Sequence, residues 1–389
     1  MARPLAALPS VHEVLHNPAF QSASAQLAEL YRTRLVRQII QRYRDELRAD
    51  RGKSADPERI TAAVVEQCIR EAEAVQRSFP RRVINGTGVL IHTNLGRAPL
   101  GELLEELDTQ ALAGYTDLEW DSETQERGNR DLPLQRQLQL LTGAEAALVV
   151  NNCASALFLA LNTLAAGKEV LISRSELVEI GGSFRVPEIM RASGCRLREV
   201  GTTNKTRLSD FEEHATPGAS VLLKVHQSNF VQRGFVEQVT LEELVALGER
   251  LQIPVIEDNG SGLITAEGTP ILDQEPRVME SLRTGVDVVC SSADKLFGGV
   301  QAGILLGKAE HVAAMRKNPL YRVLRLDKVR IALLDRTLKY YLAGRAAELP
   351  LWRLFHASAE ELDARAASLR LPGARTRWAV CRLVPLQAK

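Results

Sequence analysis

From Val83 onward the chain repeats one pattern: short apolar, β-branched runs separated by helical stretches and glycine-containing turns. The runs are AALVV (146–150), EVLIS (169–173), SVLLKV (220–225), IPVIE (253–257), DVVCSS (287–292) and AGILLG (302–307). Helix patterns such as 153–165 and 240–251 lie between them. Runs that are apolar throughout belong to strands buried on both faces, and strands alternating with helices build a largely parallel sheet. The pattern predicts an α/β fold: a mostly parallel sheet sandwiched by helices.

The flanking segments read differently. Residues 26–49 place Leu27, Leu30, Leu35, Ile39, Tyr43 and Leu47 near helical spacing. Ser54 to Pro57 supplies a break and a new start signal, and 58–77 reads as a second helix. After about Pro319 the pattern is helical again, through 326–343 and 358–369. The expected domains are therefore 1–80, 81–318 and 319–389, and 389 residues exceed one ordinary domain. Lys+Arg 49 against Asp+Glu 48 excludes a wholly basic nucleic-acid protein but not a local basic patch. Five scattered cysteines with no CxxC pair support neither zinc nor a disulfide framework, so no metal is expected and a reducing compartment is. No apolar run is long enough to span a bilayer. The proline-containing N-terminus lacks a signal design, and the expected location is cytoplasmic.

Four strand ends carry candidate chemistry. In DVVCSSADKLFGGVQAG, Lys295 follows a buried strand, a partly desolvated setting suited to a nucleophilic amine. Ser292 can donate to a phosphate, and Gly298 and Gly299 let backbone approach closely. Taken alone, Lys295 reads more readily as a surface lysine. In AALVVNNCASALFLAL a strand turns into a helix whose first residues, Cys153, Ala154 and Ser155, offer a phosphate site at a helix N-terminus; simple capping by Asn152 is an equal reading. In IPVIEDNGSG, Asp258 can hold a pyridinium nitrogen protonated, although an ordinary turn aspartate is commoner. It precedes Lys295 by 37 residues, room for one helical crossover. In LLKVHQSNF, Asn229 can bond a cofactor's phenolic oxygen, and His226 can stack on or sit beside its ring, though a lone histidine is more often structural. Ligand groups gather at the carboxyl ends of parallel strands, and all four segments sit there. Together they point to pyridoxal 5'-phosphate on Lys295.

With RRVINGTGVLIHTNLGRAPL (81–100), these strings resemble the bacterial selenocysteine synthases, the L-seryl-tRNA(Sec) selenium transferases. The resemblance runs over about residues 1–370 and is strongest over 81–330. It implies pyridoxal-phosphate fold type I, with Lys295 as the Schiff-base lysine and Asp258 as the partner of the ring nitrogen. It places selenophosphate on Arg97, Arg322 and Arg325, whose guanidinium forks suit phosphate-like dianions. It implies that seryl-tRNA(Sec) becomes selenocysteyl-tRNA(Sec) through a bound aminoacrylyl intermediate, with Asp294 assisting proton transfer. The helical N-terminal domain would bind the tRNA. Residues 31–53 hold eight Lys/Arg (Arg32, Arg34, Arg37, Arg42, Arg44, Arg48, Arg51, Lys53) against three acids, which a solvated helix face would also explain. A homo-oligomer is implied, a ring of dimers amounting to a decamer, with active sites at subunit interfaces.

The C-terminal segment departs from the resemblance. From LPGARTRWAVCRLVPLQAK (371–389) the sequence is arginine-rich with one short strand-like stretch, and it predicts a truncated or frameshifted, incomplete small domain. A chain of this kind is expected to bind its cofactor weakly or to aggregate through uncovered apolar surface. Two rival functions follow from the same residues. One is a β-eliminating pyridoxal-phosphate lyase acting on a small substrate, against which the N-terminal helical domain speaks. The other is an inactive tRNA-binding homologue.

Overall fold

The structure, a computed structural model, describes residues 8–49, 56–179, 185–264 and 272–368. The arginine-rich segment 371–389, and Arg51 and Lys53, lie outside the described residues. The chain divides into two compact units, Met1–Ile84 and Asn85–Lys389.

The first unit is helical. Helices Glu29–Ala49 and Pro57–Gln76 match the spacing seen in the sequence. Short helices Val11–Leu15 and Pro18–Ala23 precede them, started by a Ser10–Glu13 capping box and by the Asn17 side chain followed by Pro18. Their inward faces meet in a core of Val14, Phe20, Val36, Ile39, Ile40, Ile60, Val64, Cys68 and Ala72. Leu30, counted in the apolar stripe, is instead exposed, because the buried stripe runs through Val36 and Ile40.

In the second unit a hairpin of β1 (Trp120–Asp121) and β2 (Glu126–Arg127) precedes the main sheet. The sheet comprises β3 (Ala146–Val150), β4 (Glu169–Ser173), β5 (Arg196–Val200), β6 (Ala219–Val225), β7 (Val255–Asp258), β8 (Val288–Ser292) and β9 (Gly303–Gly307). Their spatial order is β3-β9-β8-β7-β6-β4-β5. Only β9 runs antiparallel to its neighbours; β8, β7, β6, β4 and β5 pair in parallel. The mostly parallel sheet expected from the alternation is present. β5 is the strand whose sequence, RLREV, lacks an apolar run. It lies at the sheet edge with Arg196, Arg198 and Glu199 exposed, and charge on an edge strand discourages pairing with another chain.

Side chains alternate between two cores. Leu148, Val150, Ile172, Leu223, Ile256 and Leu305 face helices Cys153–Ala165 and Ala309–Lys317. Ala147, Val149, Leu171, Leu222, Val255 and Leu306 face helices Leu132–Thr142, Leu241–Leu251 and Lys328–Leu342. Both faces are covered, which is why the strands read as apolar throughout. Helix Lys328–Leu342 contributes Leu333, Leu334 and Leu338 to that second core.

At the amino end of β8, Asp287 ties three strands together. Its Oδ2 accepts from Val255 N at 2.7 Å, its Oδ1 pairs with Lys308 Nζ at 2.7 Å, and its main-chain oxygen accepts from Lys308 N. Burial works against its charge. Hydrogen bonds from His311, Lys308 and Val255 outweigh that effect and bring its pKa from 3.8 down to about 2. A depressed carboxylate contributes stability that is present above pH 3.8 and lost as pH falls through about 2. Asp287→Asn should therefore remove about 2 kcal/mol at neutral pH and flatten the acid limb of an unfolding curve across that window. Chemical denaturation at several pH values checks both.

Candidate functional site

The carboxyl ends of β3, β6, β7 and β8 converge, and a backbone clasp fixes two of them. The turn after β7, Asp258 to Gly262, lies against the loop after β8. Asn259 N and Gly260 N donate to Cys290 O at 3.0 and 3.4 Å, and Leu296 N donates back to Ser261 O at 2.9 Å. Asn259 is fully buried and braces the turn: its Oδ1 accepts from Ser261 Oγ and Gly262 N, and its Nδ2 donates to Pro276 O. Gly262 has φ 75°, and a Cβ there would stand 2.1 Å from Ser292 O. No other residue fits that position.

The clasp brings Asp258 and Lys295 to one point. A Cβ on Gly260 would lie 3.5 Å from Asp258 Oδ1 and 4.0 Å from Lys295 Nζ. Asp258 is only 4% exposed. Burial pushes its carboxyl up, and the Lys295 charge, the Cys153 thiol and His226 act in the opposite direction. Cys153, the first residue of helix Cys153–Ala165, sets its Sγ 3.5 Å from Asp258 Oδ1. Burial, and then the Asp258 charge, push that thiol well up, so it is a protonated donor. The helix start has Ala154 and Ser155 in its first turn, with Ser155 N capped by Asn152 Oδ1 at 2.8 Å. His226 N donates to Asp258 O at 3.0 Å, and its Nε2 lies 3.1 Å from Glu275 Oε2.

Pyridoxal phosphate fits this arrangement. Asp258 is a buried carboxylate whose side-chain donor is one weak thiol, so it lacks the strong cationic N–H that a protonated ring nitrogen provides. Gly260, at φ 62°, carries the backbone past both that carboxylate and the Lys295 amine. A helix N-terminus stands on the same side of the sheet for a phosphate.

The remaining expected residues divide. Asp294 is saturated: Oδ1 accepts from Ser292 Oγ at 2.6 Å, Oδ2 pairs with Arg97 Nη1 at 2.8 Å, and its main-chain oxygen accepts from Ala98 N. The Ser292 hydroxyl proton is thus placed on Asp294. Arg97 adopts φ 61°, a left-handed conformation that costs a non-glycine residue about 1–2 kcal/mol, and the Asp294 pair holds it there. Arg97 and Asp294 line a cleft of about 480 Å³ with Thr93, Gln301 and Arg330. Arg322 is exposed on helix Pro319–Leu324, and Arg325, just beyond its end, pairs with Glu119 Oε1 at 3.0 Å. Asn229 is exposed, and its Nδ2 donates to Glu179 O at 2.9 Å rather than toward Asp258. Arg330, Gln301 and Gly260 escaped the sequence reading. Arg330 stands in YRVLRLDKVR beside the arginines that were named, and only its position on the cleft wall separates it from them.

Beneath the site, on the opposite face of the sheet, Glu257 is 4% exposed and one of its oxygens has no hydrogen-bond partner. Burial raises its pKa from 4.5 to about 7, against smaller opposing effects from Ser281 and His226. A raised carboxyl favours the folded state below pH 4.5, and that contribution is lost as pH rises through about 7. Glu257→Gln should remove this part of the pH dependence and leave the variant the more stable chain above pH 7; equal slopes for the two proteins in denaturant titrations would count against it.

Comparison with known proteins gives a consistent picture. The family model described as "L-seryl-tRNA selenium transferase" matches residues 83–380. A protein of Aquifex aeolicus called L-seryl-tRNA(Sec) selenium transferase is 44% identical over 88% of this chain and 74% of its own length. One of the same name from Solidesulfovibrio magneticus is 47% identical over 86% of this chain and 72% of its own. Another, from Alkaliphilus metalliredigens, is 44% identical over 94% and 79%. Among solved structures, a D-glucosaminate-6-phosphate ammonia-lyase superposes with TM-score 0.54 at 19% identity, covering 71% of this chain and 70% of that one, which shows a shared fold.

Proposed function

The chain belongs to the L-seryl-tRNA selenium transferase family, and from that premise we propose how its own residues carry the reaction. It is a pyridoxal-phosphate-dependent transferase of fold type I that converts L-seryl-tRNA(Sec) to L-selenocysteinyl-tRNA(Sec). The observation that carries this reading is the buried Asp258 carboxylate held across Gly260 from the Lys295 amine. When bound, pyridoxal phosphate supplies the electron sink that acidifies the seryl Cα and lets the β-substituent leave.

In this reading Lys295 Nζ would hold the cofactor, and its free amine is the base that would carry the Cα proton. Asp258 would keep the ring nitrogen protonated, and the Cys153 thiol helps to orient that carboxylate. The first turn at Cys153, Ala154 and Ser155 would receive the cofactor phosphate. His226, whose main-chain N–H donates to Asp258 O, would sit beside the ring. Asn229 would reach the cofactor's phenolic oxygen only after leaving Glu179, and Ser292 would reach the phosphate only after leaving Asp294. Asp294 steadies Arg97 at the cleft wall, and its two occupied oxygens favour that role over proton transfer. Arg97, Arg322 and Arg325 receive the selenium donor, selenophosphate, whose charge suits guanidinium forks.

The helical unit is assigned to tRNA. Arg34, Arg37, Arg42 and Arg48 are exposed along helix Glu29–Ala49, whereas Arg32 is tied to Ser24 O and Ala25 O. The second unit leaves Tyr115 and Phe235 almost fully exposed, apolar surface that a homo-oligomer, a ring of dimers, would cover. Among the described residues no helix is long and apolar enough to cross a membrane.

Two measurements test the assignment. Single-turnover conversion of seryl-tRNA(Sec) with selenophosphate should be abolished in Lys295→Ala; unchanged conversion would sink the mechanism. Arg37→Ala should weaken seryl-tRNA binding across sequences and lower the slope of log affinity against log salt by about one unit, without altering helix content.

A further inference from the structure

Immediately before β1, one carboxylate gathers more cations than it neutralises. Glu119 Oε1 accepts from Arg130 Nε at 2.8 Å and from Arg325 Nη1 at 3.0 Å, and Oε2 accepts from Arg127 Nη2 at 2.8 Å. Guanidinium groups do not lose their proton in proteins, so three positive charges meet one negative charge and two are in surplus. The Arg127 hydrogen bond, aided by Arg130 and Arg325, outweighs partial burial and holds the Glu119 carboxyl below its usual range. The three arginines come from separate places: strand β2, the loop before helix Leu132–Thr142, and the residue after helix Pro319–Leu324.

The three are not held alike. Arg130 is clamped twice, since its Nη1 also donates to Leu326 O at 2.6 Å. The backbone on both sides of Arg325 is fixed: Leu324 O accepts from Asn151 N at 2.9 Å, and Leu326 O holds Arg130. Arg330, on the same segment, lines the Arg97–Asp294 cleft and reaches Asn151 O at 3.5 Å. The Arg325 side chain is therefore the movable part of an anchored segment, and Glu119 is what holds it.

We propose that Glu119 is a positioning residue, a resident counter-ion that keeps Arg325 docked until a phosphate-like dianion displaces it. The proposal rests on the reading that Arg325 belongs to the donor site. Its consequence is selectivity by charge. A monoanion offers the cluster no more charge than Glu119 already supplies, and Glu119 has the advantage of being intramolecular. A dianion matches the surplus of two and can take the Arg325 fork.

The test uses the cofactor-loaded full chain with inorganic phosphate as the dianion and formate as the monoanion, at matched ionic strength. The wild type should bind phosphate and show little response to formate. Glu119→Gln should bind phosphate about tenfold tighter, the scale of one charge-assisted hydrogen bond, and should gain formate binding. Its KM for the selenium donor should fall with kcat changed less, and Glu119→Asp should restore the wild-type discrimination. Phosphate affinity in Glu119→Gln that is unchanged or weaker would overturn the proposal. If Glu119→Gln does not accumulate as folded protein, Arg127→Ala replaces it: with one cation fewer, phosphate affinity should drop about tenfold, and no drop overturns the idea. Phosphate binding indifferent to Arg325→Ala would instead remove the underlying donor-site reading.

Discussion

The clasp between the turn after β7 and the loop after β8 is the constraint on which the site depends. Three main-chain hydrogen bonds join Asn259, Gly260 and Ser261 to Cys290 and Leu296. Backbone bonds set position without depending on rotamers, so the main chain that carries Asp258 and Lys295 is fixed independently of any contact between their side chains. Parallel pairing of β7 with β8 brings Asp258 opposite Cys290, three residues before the start of the clasped loop's ADK sequence. The glycines inside the turn are part of the same device. Gly262 permits the close pass against Ser292 O, and Gly260 supplies the left-handed backbone, φ 62°, that the turn needs beside Asp258 and Lys295.

Charge is distributed around this frame in two opposite ways. On the cofactor side a buried carboxylate is left short of strong donors, which makes Asp258 receptive to a cationic ring nitrogen. Elsewhere arginines outnumber carboxylates: Glu119 carries three and Asp294 carries Arg97. Uncompensated charge of either sign is costly, and a ligand of opposite charge would offset it. Stability given up at such positions is a common correlate of binding function.

Much of this was legible in the sequence. The six apolar runs each fall on strands of the sheet, because a strand buried on both faces is apolar at most positions; the buried Glu257 and Asp258 that end β7 are exceptions. The strand that escaped, Arg196–Val200, lies on the edge, where burial imposes no such demand and charge is useful. Leu30 shows the converse, an apolar residue at helical spacing that the fold leaves outside. Lys295, Asp258 and Cys153, which the structure brings together, were legible because strand ends and a helix start are local signals. Asn229 and Ser292 sit at equally good local positions, yet their side chains bond Glu179 O and Asp294. Short polar side chains take the nearest partner, and sequence does not say which partner is near.

The sequence by itself determined the fold class, the two strand ends that carry lysine and carboxylate, and the family strings around them. These are properties of contiguous segments, set by burial periodicity and by backbone geometry that only glycine allows. Tertiary structure decided the pairings between segments distant in the chain. Glu119 meets Arg325 across 206 residues and Arg97 meets Asp294 across 197. Nothing local marks Glu119 as the holder of three arginines, since a salt bridge is specified by where two strand ends and a helix terminus meet in space. That meeting point follows from the order of strands in the sheet and the packing of helices on its two faces.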